Sequence, residues 1–186
     1  MTKKYELVLD DTISFWGWKL FRIRALISFG SIEAGDLGGY IEKEDNLSHD
    51  GNAWVYGNAE VSGNAEVSGN AEVSGNAEVW GDAKVSGNAE VSGDAKVWGN
   101  AKVSGNAEVS GNAEVSELGD IIVFKNHWSS GRHFTYTKSN KMWKVGCFYG
   151  TGQELIKKAY RDSEKSGNYY KAYVDFVETL ERLSEE

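Results

Sequence analysis

The side chains able to do chemistry gather in one stretch: His127, Ser129, Ser130, Arg132, His133, Thr135, Thr137, Lys144 and Cys147. A serine or cysteine beside a histidine is the minimum for nucleophilic catalysis, because the imidazole takes the proton as the nucleophile attacks. No recognised nucleophile–base spacing occurs here. Cys147, set between glycine and phenylalanine, reads as a small buried hydrophobe. Ser129-Ser130-Gly131-Arg132 suits another task, since hydroxyls, a flexible backbone and a guanidinium together can hold phosphate or carboxylate. Ser129, Ser130, Arg132, His133 and Thr135 are therefore the candidate ligand-binding residues, against the plainer reading of a polar turn between strands. We expect no catalytic residue, no metal site and no cofactor: the protein reads as a non-enzyme.

The elements that must position this stretch are dominated by a repeat. From Gly51 to Ser116 the chain is eleven consecutive six-residue units, of which GNAEVS is the commonest. Glycine every sixth residue costs a helix about 1 kcal/mol each time relative to alanine. In an extended strand the alanine and valine of each unit share one face. The intervening Gly-Asn or Gly-Asp supplies residues that tolerate the backbone angles of a corner. A short strand and a corner in every unit predict a three-sided parallel β-helix, mainly β in class, with about 18 residues per coil. Its Ala/Val interior is too narrow for a ligand, and its open ends must be capped. The register reaches back irregularly through residues 39–50, where a strict six-residue count puts His49 on an inward slot.

Residues 18 apart then stack. Trp54, Glu72, Glu90 and Glu108 fall on one face, Glu60, Glu78, Lys96 and Glu114 on the second, and Glu66, Lys84 and Lys102 on the third. Asp82 and Asp94 each share a unit with a lysine, Lys84 and Lys96, as expected of solvated faces with local compensation. Trp80 and Trp98 stack along one edge. With Trp54 and Tyr56 they are the candidate oligomer interface, because exposed aromatics mark association surfaces. The alternative is that the terminal segments fold back over them.

Several functions lose support. Residues 51–116 contain no histidine, whereas a β-helix acyltransferase uses one as general base beside its coils. The repeat lacks the threonine rows of an ice-binding face and the nine-residue period of a calcium-binding β-roll. Net charge is −3 over residues 1–50, −6 over 51–116 and +1 over 117–186, so the middle repels phosphate backbones and nonspecific nucleic-acid binding is not expected. One cysteine precludes an internal disulfide framework. No apolar run reaches the roughly 18–20 residues of a membrane span, and MTKKYELVLDD turns acidic where a secretory leader turns apolar. A cytoplasmic location is expected.

The flanks read as separate units, giving domains at 1–38 (a β cap), 39–119 (the β-helix) and 120–186 (an α+β domain). Residues 4–9 and 20–27 predict strands, as do 120–124, 133–138 and 142–150, the last two forming a hairpin around Ser139-Asn140. Thr151 predicts an N-cap for a helix to about Ser163, and Asn168 one for a helix to about Leu183 with Tyr169, Tyr173, Phe176, Val177 and Leu180 on one face.

Read from the valine, V-S-G-N-A-E resembles the hexapeptide pattern of left-handed β-helix proteins, which implies left-handed coils and homo-oligomers, typically trimers. Through LFRIRALISFG, GDLGGYIEKEDNLSHDGNAWVYGNAEV and WKVGCFYGTGQEL, the whole chain resembles a family of hexapeptide-repeat proteins from phages and prophages of gut bacteria. A Gly-Ser-Arg segment of that family appears here as Ser130-Gly131-Arg132. The resemblance carries no activity. It implies an accessory protein in the cytoplasm of an infected or lysogenic bacterium, which binds a host defence protein or sequesters a nucleotide signal. A structural or assembly scaffold is the alternative, and a divergent hexapeptide acyltransferase a more distant one.

Overall fold

The computed structural model describes residues 2–15 and 17–185. Strands β1 (Tyr5–Phe15) and β2 (Trp18–Ala25) form an antiparallel hairpin, and β3 (Leu37–Ile41) pairs with β2. Eleven two-residue strands follow at six-residue intervals, from β4 (Trp54–Val55) to β14 (Glu114–Val115). The chain ends in an antiparallel sheet, β15 (Ile121–Lys125), β16 (His133–Thr137), β17 (Met142–Val145) and β18 (Phe148–Thr151), and two helices, α1 (Gly152–Asp162) and α2 (Glu164–Ser184).

The middle is a parallel β-solenoid in which three units complete each coil. Glu60 pairs with Glu78, Glu66 with Lys84 and Glu72 with Glu90, which generates the three faces the repeat predicts. Every alanine and valine of the eleven units is buried. The glycine opening each unit has φ between +60° and +73°, the left-handed corner that other residues adopt only with strain. Space adds a second constraint: a Cβ at Gly93 would lie 2.9 Å from the Gly111 carbonyl oxygen in the next coil. Asparagines at the corners form ladders, Asn70 to Asn88 at 3.0 Å and Asn88 to Asn106 at 3.3 Å. Asp82 and Asp94 join such ladders as acceptors for Asn64 and Asn76, both at 3.0 Å. Lys84 and Lys96 pair with Glu66 and Glu78 of the preceding coil (3.3 and 3.8 Å), so their compensation runs between coils and not within the unit.

Above the first regular unit the register differs from a strict six-residue count. Ile41 pairs with Val61 and Leu47 with Val67, a wider separation in sequence than that between Val61 and its own partner Val79. Two extra residues therefore enter between Leu47 and Val55. Ile41 and Leu47 fill the inward slots, and His49 is displaced from the interior to stack on Tyr5, with ring centroids 4.3 Å apart. The aliphatic side chains fill these slots at no polar cost, while outside them His49 Nδ1 accepts from the Lys4 N–H at 3.2 Å.

Backbone hydrogen bonds between coils run one way. Each N–H donates to a carbonyl of the following coil, as Glu60 does to Ala77 and Glu78 to Ala95 (both 2.9 Å). The first coil is consequently left with free carbonyls and the last with free N–H groups, and the flanks supply opposite chemistry at the two ends. At the start, Lys4 Nζ donates to the Ala53 carbonyl at 2.8 Å, Asn46 Nδ2 to Ala65 at 2.8 Å and the Tyr5 hydroxyl to Leu47 at 2.7 Å. At the end, Thr135 Oγ1 accepts from the Glu108 N–H (2.9 Å), Ser139 Oγ from Glu114 (2.8 Å) and Asp120 Oδ2 from Ser116 (2.8 Å). Because β3 bonds to β2 on one side and to β5 (Glu60–Val61) on the other, the N-terminal hairpin extends the second solenoid face into a seven-stranded sheet.

The C-terminal unit has its own aromatic core of Phe134, Tyr136, Trp143 and Tyr170 with Leu155, Val174 and Val177. Residues 142–150 are two strands, not one, turning at Gly146-Cys147. Cys147 is accordingly exposed at a turn, which corrects its reading as a buried hydrophobe. Thr151 caps α1 in a reciprocal box with Glu154, as its sequence predicts. Ser163, and not Asn168, caps α2. The face packed on the aromatic core is Tyr170, Val174 and Val177, and Phe176 is half exposed.

Candidate functional site

Two concave regions contain the residues singled out in the sequence. The larger is a cleft of about 660 Å³ against the second solenoid face. The tip of the β1–β2 hairpin forms one wall with Trp18 and Leu20. Glu60, Ser62 and Asn64 of one coil and Glu78, Trp80 and Asp82 of the next form the floor. Trp18 is 51% exposed, an unusual state for the largest apolar side chain.

Trp80 and Trp98 stack with centroids 5.2 Å apart and planes within 7° of parallel. The rung before them is Ser62, which follows from the Val61–Val79 pairing. Trp98 covers one face of the Trp80 indole, and among the described residues no ring stacks on the other, which borders the cleft beside the Ser62 rung. Charge is concentrated here too. Glu60 and Glu78 occupy adjacent rungs, Glu78 pairs with Lys96, and Asp82 accepts from Asn64. Glu60 has no ion-pair partner among the described residues. Its carboxyl sits above the usual carboxylate range, first because it is partly buried and second because Glu78 is its neighbour.

Of the four predicted interface residues, Trp80 and Trp98 remain partly exposed. Trp54 does not. It is fully buried, edge-on to Phe29 at 5.4 Å and to Tyr5 at 6.2 Å, so it belongs to the N-terminal cap and cannot meet a partner. Tyr56 is partly buried, packs against the same core, and reaches Glu72 at 3.5 Å. Trp18 is the aromatic that sequence reasoning missed. Nothing in a two-stranded pattern tells that the hairpin tip overhangs the solenoid.

The smaller pocket, about 280 Å³, lies in the C-terminal unit. It brings together Ser130, Arg132 and His133 with Cys147 and with Lys158 from α1. Arg132, which is exposed, and Lys158, whose ammonium also pairs with Asp162 at 3.3 Å, both line this small cavity. The neighbouring hydroxyls are engaged in the turn itself. Ser129 donates through both its N–H and its hydroxyl to Asn126 Oδ1 (2.9 and 3.0 Å), and Ser130 Oγ accepts from the Arg132 N–H at 3.3 Å. Thr135 is not part of this pocket: it is buried, and its hydroxyl caps the last coil. His133 and Thr135 share one face of β16, and the two residues of advance along the strand place Thr135 over the solenoid end, against the Glu108 N–H.

Comparison with protein-family models matches no family, and a search of the curated proteins finds no match. Among the described residues, no helix is long and apolar enough to cross a membrane.

Proposed function

We propose that this protein is a non-catalytic binding module that self-associates side by side and takes its ligand in the cleft between Trp18 and Trp80. One observation carries the reading: an indole stacked on one face and, among the described residues, open on the other, at the wall of a cleft of about 660 Å³. Open aromatic faces beside polar groups are typical of recognition surfaces. Capping supports lateral association over end-to-end stacking, because the flanks already engage backbone groups at both solenoid ends. A trimer of left-handed coils, as in the hexapeptide-repeat proteins that the repeat resembles, is the preferred arrangement. Following the phage-family resemblance, the biological partner is a host defence component. Native mass spectrometry of protein taken from its host tests this reading. A discrete oligomer that Trp80→Ala with Trp98→Ala converts to monomer supports it. A monomer at micromolar concentration, carrying no adduct, rejects it.

A second reading places a nucleotide-type anion at Arg132, and the placement of Lys158 beside it favours that reading. Two cations in one pocket attract phosphate more strongly than the turn alone. Arg132→Ala should weaken such binding and leave the assembly state unchanged.

A further inference from the structure

We propose that the cleft selects a planar organic cation, the guanidinium of an arginine presented by a protein partner, which would occupy the empty rung of the tryptophan ladder. This rests on the reading of the cleft as the binding site.

Three features converge on that chemistry. First, the vacancy has the thickness of a ring. Successive rungs are about 4.8 Å apart, Trp98 occupies the rung below Trp80, and the Ser62 rung above is ringless. A flat group can therefore lie on the open indole face, with Trp18 and Leu20 of the hairpin closing the far side. Second, the rim is acidic. Among the residues lining the cleft, Glu60, Glu78 and Asp82 carry three negative charges against Lys96, and among the described residues Glu78 alone of the three is ion-paired. A phosphate or carboxylate ligand would be repelled, whereas a cation over an indole gains about 0.5–2 kcal/mol from the ring alone. Third, the carboxylates are paired in register. Glu60 belongs to the Ser62 rung and Glu78 to the Trp80 rung, so a guanidinium lying parallel to the indole can turn an N–H edge toward Glu60 near its own plane, while Glu78, one rung away, adds negative charge. An ammonium is a point charge and could not do both. The acidic solenoid, −6 over residues 51–116, also favours a basic protein surface over nucleic acid.

The test uses the full-length protein labelled with ¹⁵N, reading the tryptophan indole signals, with Trp80 and Trp18 assigned through Trp80→Phe and Trp18→Phe. The probes are N-acetyl-arginine methylamide, its neutral isostere the citrulline derivative, and the lysine derivative. The arginine probe should shift the Trp80 and Trp18 signals with at least fivefold higher affinity than either control. Glu60→Gln with Glu78→Gln should lower that affinity tenfold or more, and it should fall as pH drops through the raised Glu60 range. Equal shifts by arginine and citrulline would overturn the cation assignment and leave the cleft standing as a flat-ring site. If no probe, including free indole, moves either signal, the cleft itself is not a binding site, and both readings fail.

Discussion

Lys4 Nζ lies 2.8 Å from the Ala53 carbonyl oxygen, a buried ammonium closing the backbone of the first coil. Replacing it with methionine keeps the apolar stem and removes the donor. The Ala53 carbonyl would then be unpaired in a buried site, at about 1–3 kcal/mol. We expect Lys4→Met to lower the urea midpoint accordingly and to promote end-to-end association, visible by light scattering.

The same burial depresses the Lys4 ammonium to about 8 from 10.5, although Asp50 pulls the other way. Between these two values the unfolded chain binds more protons than the folded one, so the contribution of Lys4 raises stability as pH climbs through that window. The gap in urea midpoint between wild type and Lys4→Met should therefore change across that window, with wild type gaining. A gap independent of pH would show that Lys4 titrates normally.

At the opposite end the acceptor Thr135 is the critical group. Thr135→Val preserves shape but leaves the Glu108 N–H without its partner, and a loss of about 1–3 kcal/mol follows. Thr135→Ser should restore most of it. Chemical denaturation of the three proteins checks this directly.

Removing residues 81–98 deletes one whole coil in register and takes Trp98 with it, while Trp80 keeps its place beside the cleft. The shortened chain should fold, with a smaller urea m-value because less surface is exposed on unfolding. Its Trp80 should be more mobile, and lateral association weaker. Hydrodynamic radius and indole relaxation measure the two effects.

The solenoid is legible from its units because every one of them repeats the same demand: a left-handed corner, a small inward residue, a larger inward residue. Where one residue departs, legibility ends. His49 sits on the expected inward slot by counting, yet Ile41 and Leu47 compete for the interior and displace it by two residues. Trp54 carries the same outward pattern as Glu72 in the next coil, but Phe29, brought in by the fold of the N-terminal cap, covers it. Loop composition groups Ser130, Arg132 and His133, which do share a pocket. It cannot find Lys158, which reaches that pocket from a helix much farther along the chain. Proximity in sequence puts Thr135 with the loop, while its place farther along β16, on the same face as His133, sets it against the last coil.

Because each unit advances the chain by one side of a triangle, the number of units sets both a distance and a bearing. Adding one unit would swing the C-terminal unit a third of a turn around the solenoid axis relative to the Trp18 hairpin, and adding three would restore its bearing one coil farther away. Near-identical units make such changes easy at the level of the gene. The repeat thus works as an indexed shaft, on which the direction faced by the second pocket can be reset in thirds of a turn while the cleft at the other end stays untouched.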